Sequence, residues 1–572
     1  MADSGVISMS ELLTAVSIMF IVAGPFLLVA NRLDLPTVPL LVVAGIVAGF
    51  GLDAFGIDEE LTLELAQYGI ALLVFSFGVE IEISSVRAVL IDSEIAALAQ
   101  ILVIGSLGFG FGVVLGVSPS ESLFLGVAAA LSSTLVGTAL LQTEIGMNLV
   151  HGRVARSIHF VQDLFAIVFV LVLSAETLDA GPVATMIGYG LALLAAAIFV
   201  NRCLFDAIGR LASDSDELMI LGVASLLAVF VGAAEYAGVS IAVGAFAAGL
   251  AVRHDPVEYL GLFNGLESIK DFFVAIFFLT VGALVVLPFV EIGRTESVEK
   301  LVLAGGLVLL TVVVKPAITT AILIYRGYEP RSATLASLSS DQVSEFALIV
   351  AIEALVLGLL TQSVFDAIIL AAAVTMIASS ITQRYDERIY RVLSDRGVLS
   401  GTHAKIDELS DVRATLVDHV IIVGYGRHGQ KLIEACEADD TPYVVIENDP
   451  ARRNAVIEEC DAYVFGDAME RYTWEKANVD DAKIVVSTVD SDPVSRRLLS
   501  FEFDADLTLR ASDRTTALEL LEAGALYVSQ SDVLAGQQLV SQIRRLLDSE
   551  WTPAELRDEQ LAELKSHSNS DF

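Results

Sequence analysis

The stretch HFVQDLFAIVFV, residues 159–170, places an amide and a carboxylic acid, Gln162 and Asp163, inside an apolar run that is long enough to cross a lipid bilayer. A charged side chain at the centre of a bilayer costs about 3 kcal/mol on insertion scales. Residues of this kind within membrane helices usually mark an ion or substrate pathway. The stretch therefore predicts a membrane protein in which Asp163 is a functional group.

Composition supports the membrane interpretation and adds a strongly acidic aqueous part. The 572 residues are 55% hydrophobic, yet the net charge is −37, with 71 acidic residues against 34 basic ones. An acidic, lysine-poor surface is typical of halophile proteins, because concentrated salt shortens the range of charge repulsion to about 3 Å. We therefore expect a halophilic source and no nucleic-acid partner, which would require a basic face. Cys203, Cys436 and Cys460 form no CxxC pair, so neither a disulfide framework nor a zinc site is predicted.

Thirteen apolar segments are candidates for membrane spans, each of which needs about 20 apolar residues. They are centred near residues 22, 45, 72, 104, 131, 163, 194, 225, 246, 277, 312, 345 and 373, and the apolar pattern stops near residue 384. The first segment is predicted to be a span and not a removed signal peptide. We predict four regions: a transmembrane domain over 1–384, a linker over 385–415, a soluble domain over 416–535 and a helical acidic tail over 536–572.

The arginines indicate how the chain crosses the membrane. They fall in alternate connections and after the last span, at Arg32, Arg87, Arg153, Arg156, Arg202, Arg210, Arg253, Arg326, Arg331, Arg384, Arg388 and Arg391. The opposite connections are acidic or neutral, with Arg294 and Lys300 as exceptions. By the positive-inside rule, thirteen spans place the N-terminus outside the cell membrane and the C-terminal domain in the cytoplasm.

Two spans carry a polar interruption at matching places in the two halves of the membrane domain. They are ALSSTLVGTALL (130–141) and SLSSDQVSEFALIV (337–350). Matching interrupted segments indicate inverted repeats with broken helices, whose ends present backbone amides and carbonyls to an ion. The alternative is that the hydroxyls only bond the preceding turn of an intact helix.

Four ionisable residues lie within apolar segments: Asp163, Lys315, Asp341 and Glu345. Lys315 is too deep to reach the interface, so we expect it to need an anionic partner on another helix. An ion pair between Lys315 and Asp163 would satisfy both groups. Glu345 is expected to be structural, and His159, one turn before Asp163, to be a spectator.

The Lys315–Asp163 pair has a static and a functional interpretation. In the static one it is a buried salt bridge. In the functional one, Asp163 holds either a proton or a dehydrated monovalent cation, and Lys315 is its partner when the site is empty. Carboxylate and amide oxygens suit hard cations, so Gln162 and the cluster Ser132, Ser133 and Thr134 are predicted to complete the cation shell.

The membrane segments resemble the monovalent cation:proton antiporter-2 family, specifically its Kef-type potassium efflux branch. The resemblance covers nearly all of residues 13–382 and is carried by PTVPLLVVAGIVAGFGL (36–52), YGIALLVFSFGVEIEI (68–83), ALSSTLVGTALL, GRVARSIHFVQDLFAI (152–167), AVGAFAAGLAV (242–252), IKDFFVAIFFLTVGALV (269–285) and SEFALIV (344–350). The Gln162–Asp163 pair is the mark of the Kef-like branch. The resemblance implies that Asp163 carries cation and proton, with Lys315 as its salt-bridge partner. It also implies a homodimer with an elevator-like core.

This chain departs from the family pattern in the second interrupted segment. Ser344 stands where the family usually has glycine before Glu-Phe, and Asp341 is an additional acid. The identity of the ion, potassium or sodium, and the coupling stoichiometry stay open at this point.

The soluble domain opens with DHVIIVGYGRHGQKLIEAC (418–436), a strand followed by Gly424-x-Gly426-x-x-Gly429 and an amphipathic helix. The next strand ends in Glu447, 18 residues after Gly429. This arrangement predicts a Rossmann-like sheet that binds phosphate at the helix N-terminus and ribose at the acid. Glu447 favours NAD or an adenine nucleotide over NADP.

The segments VIIVGYGRHGQ, VVIENDP, FGDA and LEAGA resemble the domain that regulates potassium transporters and channels. The resemblance implies a regulatory ligand, NAD or an adenine nucleotide such as AMP or ATP, and adds Asp467 of FGDA to its site. Since no hydride- or proton-transfer residues accompany this domain, we expect a sensor and not an enzyme.

The prediction as a whole is an all-α polytopic membrane domain followed by a cytoplasmic α/β Rossmann-like domain. Its expected function is nucleotide-regulated monovalent cation:proton antiport, with potassium as the first choice of cation. A sodium/proton antiporter of the same fold and a nucleotide-gated cation channel are the alternatives.

Overall fold

The computed structural model divides the chain into two compact units, Met1–Val398 and Leu399–Phe572. It describes residues 9–33, 35–81, 86–142, 145, 149–175, 180–205, 207, 209, 215–253, 260–290, 292–399, 410–412, 416–501, 503–548 and 551–567. Each unit has its own hydrophobic core. We describe them separately.

The first unit is helical throughout its described elements. Its helices are α1 Met9–Leu33, α2 Thr37–Ala54, α3 Glu59–Glu80, α4 Val86–Val114, α5 Pro119–Ala130, α6 Thr134–Leu140, α7 Val150–Leu173, α8 Ala180–Phe199, α9 Asp216–Tyr236, α10 Ile241–Ala251, α11 Leu260–Ala283, α12 Arg294–Leu309, α13 Lys315–Arg326, α14 Pro330–Leu338, α15 Glu345–Val356, α16 Gln362–Arg384 and α17 Asp386–Asp395. Two π-helical stretches, Val200–Leu204 and Leu310–Val314, extend α8 and join α12 to α13.

All thirteen predicted apolar segments are helical. Among the described residues, ten helical segments are long and apolar enough to cross a membrane. Of the other three, α10 is short, α11 contains the charged residues Glu267, Lys270 and Asp271, and the last consists of the two short helices α14 and α15. The first unit is therefore a multi-pass membrane domain.

Both predicted helix interruptions are present. Residues 131–133 separate α5 from α6, and residues 339–344 separate α14 from α15. The prediction of broken helices is confirmed over the alternative of intact ones. Ser133 and Ser344 explain the restarts, since each hydroxyl accepts a hydrogen bond from the first turn of the helix that follows.

Small residues let the membrane helices approach closely. A Cβ at Gly282 of α11 would lie 2.1 Å from the carbonyl oxygen of Val42, and one at Gly45 of α2 would lie 2.2 Å from that of Leu279. Since neither distance is possible for a real Cβ atom, α2 and α11 touch backbone to backbone. Such small-residue contacts are the usual way in which membrane helices pack.

The second unit contains a six-stranded parallel sheet in the order β3-β2-β1-β4-β5-β6. Its strands are β1 His419–Val423, β2 Tyr443–Glu447, β3 Tyr463–Phe465, β4 Ala482–Ser487, β5 Asp506–Arg510 and β6 Tyr527–Ser529. Its helices are α18 Arg427–Ala438, α19 Arg453–Glu459, α20 Arg471–Lys476, α21 Asp492–Leu499, α22 Arg514–Glu522, α23 Ser531–Leu547 and α24 Pro553–His567. The predicted Rossmann-like sheet is confirmed, because this strand order is that of dinucleotide-binding folds.

Candidate ion site and candidate nucleotide site

The two helix interruptions contact each other inside the membrane domain. The Ser132 hydroxyl donates to the Ser340 carbonyl at 3.0 Å. The Gln342 amide donates to the Ser133 and Ser339 carbonyls at 3.1 and 3.0 Å. Helix ends leave backbone groups without intrahelical partners, and here each interruption supplies partners for the other.

Lys315 joins the same two interruptions. Its ammonium donates to the carbonyls of Leu131 and Gln342 at 3.0 and 2.9 Å, and the residue is fully buried. It begins α13 directly after the π-helical stretch, where Pro316 cannot continue the ordinary hydrogen-bond ladder. Lys315 thus brings positive charge to the C-terminal end of α5 and to a backbone carbonyl within the second interruption.

The predicted ion pair between Lys315 and Asp163 is not formed between these two described residues. The ammonium is instead directed to the carbonyls of the two interruptions. The C-terminal end of α5 carries negative partial charge, and the Gln342 carbonyl in the second interruption has no intrahelical donor, so the buried lysine is satisfied without a carboxylate within contact distance.

Gln162 contacts the end of α5. Its side-chain oxygen accepts from the Ser132 amide at 2.9 Å, and its side-chain nitrogen donates to the Ala130 carbonyl at 3.3 Å. Both polar atoms of Gln162 are therefore used to hold the interruption. Gln162 precedes Asp163 on α7, and its role as a cation ligand stays a prediction.

Asp163 and Glu345 both meet the first turn of α6. One carboxylate oxygen of Asp163 accepts from the Thr134 hydroxyl, and Oε1 of Glu345 accepts from the Leu135 amide at 3.1 Å. The second oxygens, Asp163 Oδ1 and Glu345 Oε2, are buried without a hydrogen-bond partner among the described protein atoms. The structure thus brings two carboxyl groups to one place.

Glu345, which is expected from the sequence to be structural, lies with Asp163 at the first turn of α6. The signal that could have placed it is Ser344, an N-cap residue. It puts Glu345 at the start of the half-helix that leaves the interruption.

The three predicted hydroxyl ligands differ in their surroundings. Thr134 contacts Asp163 directly. The Ser132 hydroxyl is bonded to the other interruption, and the Ser133 hydroxyl caps α6. Of the three, Thr134 is therefore the residue whose hydroxyl contacts the Asp163 carboxylate.

Three further polar residues, Asp341, Ser344 and His159, have hydrogen-bonding contacts in or beside the second interruption. Asp341 accepts from the Thr382 hydroxyl of α16, and Ser344 caps α15. His159 lies 3.1 Å from the Ser340 hydroxyl through Nε2. Asp341 and Ser344, which depart from the family pattern, thus each form a hydrogen bond in or beside the second interruption.

In the second unit the glycine motif follows the carboxyl end of β1, beside its neighbour β4. Gly424 has φ of +93°, and a Cβ there would lie 2.9 Å from the Thr488 hydroxyl. A Cβ at Gly429 would lie 2.0 Å from the Gly424 carbonyl oxygen. A Cβ at Gly426 would meet only Arg452, at 3.5 Å. Gly424 and Gly429 are thus needed for the turn itself, while Gly426 faces the open side, as in phosphate-binding turns.

Glu447, at the end of β2, organises the neighbouring turns. Its oxygens accept from the backbone amides of Tyr425 at 2.8 Å and of Asn448 and Asp449 at 2.9 Å. Burial raises the pKa of Glu447, and the nearby Arg452 guanidinium opposes this shift. The predicted ribose acceptor is therefore also the residue that links the glycine turn to β2.

Asp467 follows β3 at the same edge of the sheet. It is buried, and it accepts from the Met469 amide at 2.9 Å. The carboxyl ends of β1, β2 and β3 thus bring the glycine motif, Glu447 and Asp467 to one edge, because parallel strands end on the same side.

Two arginines beside the glycine turn are not among the predicted site residues. Arg452 donates to the Tyr425 carbonyl at 2.9 Å, and Arg510, at the end of β5, donates to the Thr488 carbonyl at 2.9 Å and to Asp490 at 2.8 Å. Guanidinium groups here suit phosphate. The position of Arg452 after the β2 acid, in ENDPAR, is a usable signal, whereas Arg510 comes from a strand that is distant in sequence.

The family comparison decides the identity of the first unit. A model of the sodium/hydrogen exchanger transmembrane family matches residues 16–385. The chain belongs to this family. The second unit of this exchanger is matched by a model of the TrkA-N domain over residues 420–530.

Relatives of this exchanger extend over most of its length. The putative cation/proton antiporter YbaL of Escherichia coli is 28% identical over 81% of this chain and 84% of its own. The putative K(+) efflux antiporter KefB of Alkalimonas amylolytica is 24% identical over 91% and 79%. The glutathione-regulated potassium-efflux protein KefC of an Enterobacter species is 25% identical over 87% and 79%. The predicted resemblance to Kef-type antiporters with a C-terminal regulatory domain is confirmed.

Proposed function

We propose that this exchanger moves potassium outward across the cell membrane in exchange for protons, and that Asp163 holds cation and proton in turn. The observation that carries the proposal is the buried Asp163 carboxylate, which has one unpartnered oxygen at the contact of two helix interruptions. Carboxylate and hydroxyl oxygens are ligands of hard cations. Thr134 and the free oxygen of Glu345 stand beside it, and Gln162 holds the end of α5.

The same carboxylate cannot hold a proton and a cation together. Cation binding therefore releases the proton, and protonation releases the cation, which is the requirement for exchange. Lys315 keeps the two interruptions together while Asp163 changes its load. Accessibility would alternate by an elevator-like movement of the interrupted helices in a homodimer, with the N-terminus outside and the second unit in the cytoplasm.

We further propose that an adenine nucleotide, NAD or AMP/ATP, binds the second unit and regulates exchange. The tight glycine turn and the two neighbouring guanidinium groups support phosphate binding, and Glu447 and Asp467 support ribose binding. A bound nucleotide that changes transport must in turn have its affinity changed by the transport state, by the same factor.

Proton flux in proteoliposomes tests the transport proposal. We expect potassium added in high salt to drive proton movement in the wild type and none in Asp163→Asn. Asp53→Asn, an exposed acid at the end of α2, is the control and keeps wild-type exchange. Sodium as effective as potassium would favour a sodium/proton antiporter. Cation flow without proton movement would favour a channel.

Thermal stability with added NAD, AMP or ATP tests the nucleotide proposal. Gly426→Val is the informative variant, because a Cβ at this position meets no atom closer than 3.5 Å and the fold is kept. We expect one of the nucleotides to stabilise the wild type and not this variant. Equal stabilisation of both proteins would place the nucleotide elsewhere.

A further inference from the structure

Four phenylalanine rings meet beside the candidate ion site. The ring centre of Phe77 lies 5.2 Å from that of Phe346, 6.0 Å from that of Phe246 and 6.4 Å from that of Phe160. Phe246 and Phe346 are buried, while Phe77 and Phe160 are half-buried. Phe77 is the central member, since it contacts all three others.

Two of the rings stand on helices that touch backbone to backbone. Phe77 belongs to α3 and Phe246 to α10. A Cβ at Gly249 of α10 would lie 2.2 Å from the Phe75 carbonyl oxygen and 2.8 Å from the Gly78 Cα. Helices α3 and α10 are therefore in direct backbone contact, and they carry Phe77 and Phe246.

The other two rings stand on the helices of the ion site. Phe160 is three residues before Asp163 on α7, so both lie on the same helix face. Phe346 follows Glu345 on α15. The contacts of Phe77 with Phe160 and Phe346 thus join the α3–α10 pair to the helices that carry both carboxyl groups.

Side-chain exposure decreases from Glu80, through Phe77 and Phe160, to Asp163. Glu80, one turn beyond Phe77 at the end of α3, has a side chain that is 56% exposed and forms an ion pair of 2.6 Å with Lys270. Phe77 and Phe160 are half-buried, and Asp163 is 1% exposed. Phe77 contacts Phe160, and these two rings lie one helical turn from Glu80 on α3 and from Asp163 on α7, respectively. The aromatic rings therefore lie between an exposed charged end and the buried carboxylate.

We propose that Phe77 is the gate between Asp163 and the Glu80–Lys270 end of the membrane domain. A cation cannot pass between packed aromatic rings without losing its water, so the passage is closed while Phe77 contacts Phe160 and Phe346. It opens when the α3–α10 pair moves relative to α7 and α15. Phe77 acts by position and does not bind the ion. The inference rests on the proposed exchange function.

The ratio of potassium moved to protons moved in proteoliposomes tests the gate. We expect Phe77→Ala to raise this ratio several-fold above the wild type, because ions reach Asp163 without the counter-movement. Phe77→Leu keeps an apolar side chain of similar bulk and should give a smaller rise. Phe169→Ala is the matched control, since Phe169 packs on Phe124 and Phe165 at 6.2 and 6.3 Å, away from Phe77, and should keep the wild-type ratio.

Each outcome decides one proposal. A folded Phe77→Ala protein with the wild-type ratio overturns the gate, and where that variant does not fold, Phe77→Leu is judged by the same ratio. A wild type without exchange contradicts the proposed function instead. In that case a potassium leak in Phe77→Ala that is absent from Phe169→Ala still supports a closed passage, and no difference between the two overturns it.

Discussion

At the scale of single residues, the ion site depends on side chains that satisfy interrupted backbone. Lys315 donates to two carbonyls, Gln162 bonds both sides of the α5 end, and Glu345 accepts from the first turn of α6. Asp163 and Glu345 differ from Lys315 and Gln162, because each carboxyl group keeps one buried oxygen without a hydrogen-bond partner among the described residues. Lys315 and Gln162 thus hold the interruptions, while the two carboxyl groups keep oxygens free for a further partner.

Lys315→Met should lower both stability and exchange. It leaves the Leu131 and Gln342 carbonyls buried without a donor, and each such group costs about 1–3 kcal/mol. Thermal unfolding in detergent measures the loss. Lys270→Met is the control, since its ion pair with Glu80 is partly exposed and worth about 1 kcal/mol or less. A Lys315→Met protein as stable as the wild type would mean that the lysine supplies charge alone.

Glu345→Gln should shift the pH dependence of exchange and leave the fold intact. The glutamine oxygen can still accept from the Leu135 amide, while one of the two carboxyl groups at this place is removed. Because neighbouring carboxyl groups affect each other's ionisation, we expect the pH profile of exchange to move, as measured by proton flux over a pH series. Glu353→Gln, on the same helix and bonded to the Ser240 hydroxyl, is the control. An unmoved profile in Glu345→Gln would return Glu345 to a structural role.

At the scale of helices, a buried ion pair joins α12 to α16. Lys300 and Asp366 form an ion pair of 2.5 Å with both side chains almost completely buried. Lys300 also donates to the Val286 carbonyl at 2.9 Å, and Gln362 donates to Asp366 at 2.8 Å. Lys300 is one of the two exceptions to the arrangement of basic residues in alternate connections. Its side chain is buried in an ion pair between two helices and does not lie in a loop.

Breaking this pair should destabilise the membrane domain strongly. Lys300→Met leaves the Asp366 carboxylate buried without its cation, which costs about 3–5 kcal/mol. The double variant Lys300→Met/Asp366→Leu removes both charges and should recover most of that loss. Chemical unfolding measures both proteins. If the double variant is no more stable than the single one, the pair is not a simple structural link.

At the scale of the whole molecule, the excess of acidic residues governs the response to salt. The net charge of −37 produces self-repulsion that weakens the folded state. The two units share this property although their folds are unrelated.

Stability should therefore rise with ionic strength. Between about 0.1 M and about 1 M KCl the Debye length falls from about 10 Å to about 3 Å, so we expect a higher thermal midpoint in the concentrated salt. Choline chloride at the same ionic strength separates screening from potassium binding. Stabilisation by KCl alone would contradict the screening explanation.

The sequence by itself determines the membrane domain, its interruptions and the sheet of the second unit. These features are local, because apolar runs, Ser-rich interruptions and the strand–glycine–helix pattern each act within about 20 neighbouring residues. Asp163 is recognisable for the same reason, since a lone acid in an apolar run is costly wherever the rest of the chain lies.

Only the tertiary structure decides which side chains meet. Lys315 bonds a carbonyl 184 residues away, and Glu345 bonds an amide 210 residues away. The partner of Lys315, the nearness of Glu345 to Asp163 and the place of Arg510 beside the glycine turn all follow from helix and strand packing. A buried polar group accepts any partner of suitable chemistry that packing brings within reach, so residue type alone does not choose among carboxylates and carbonyls.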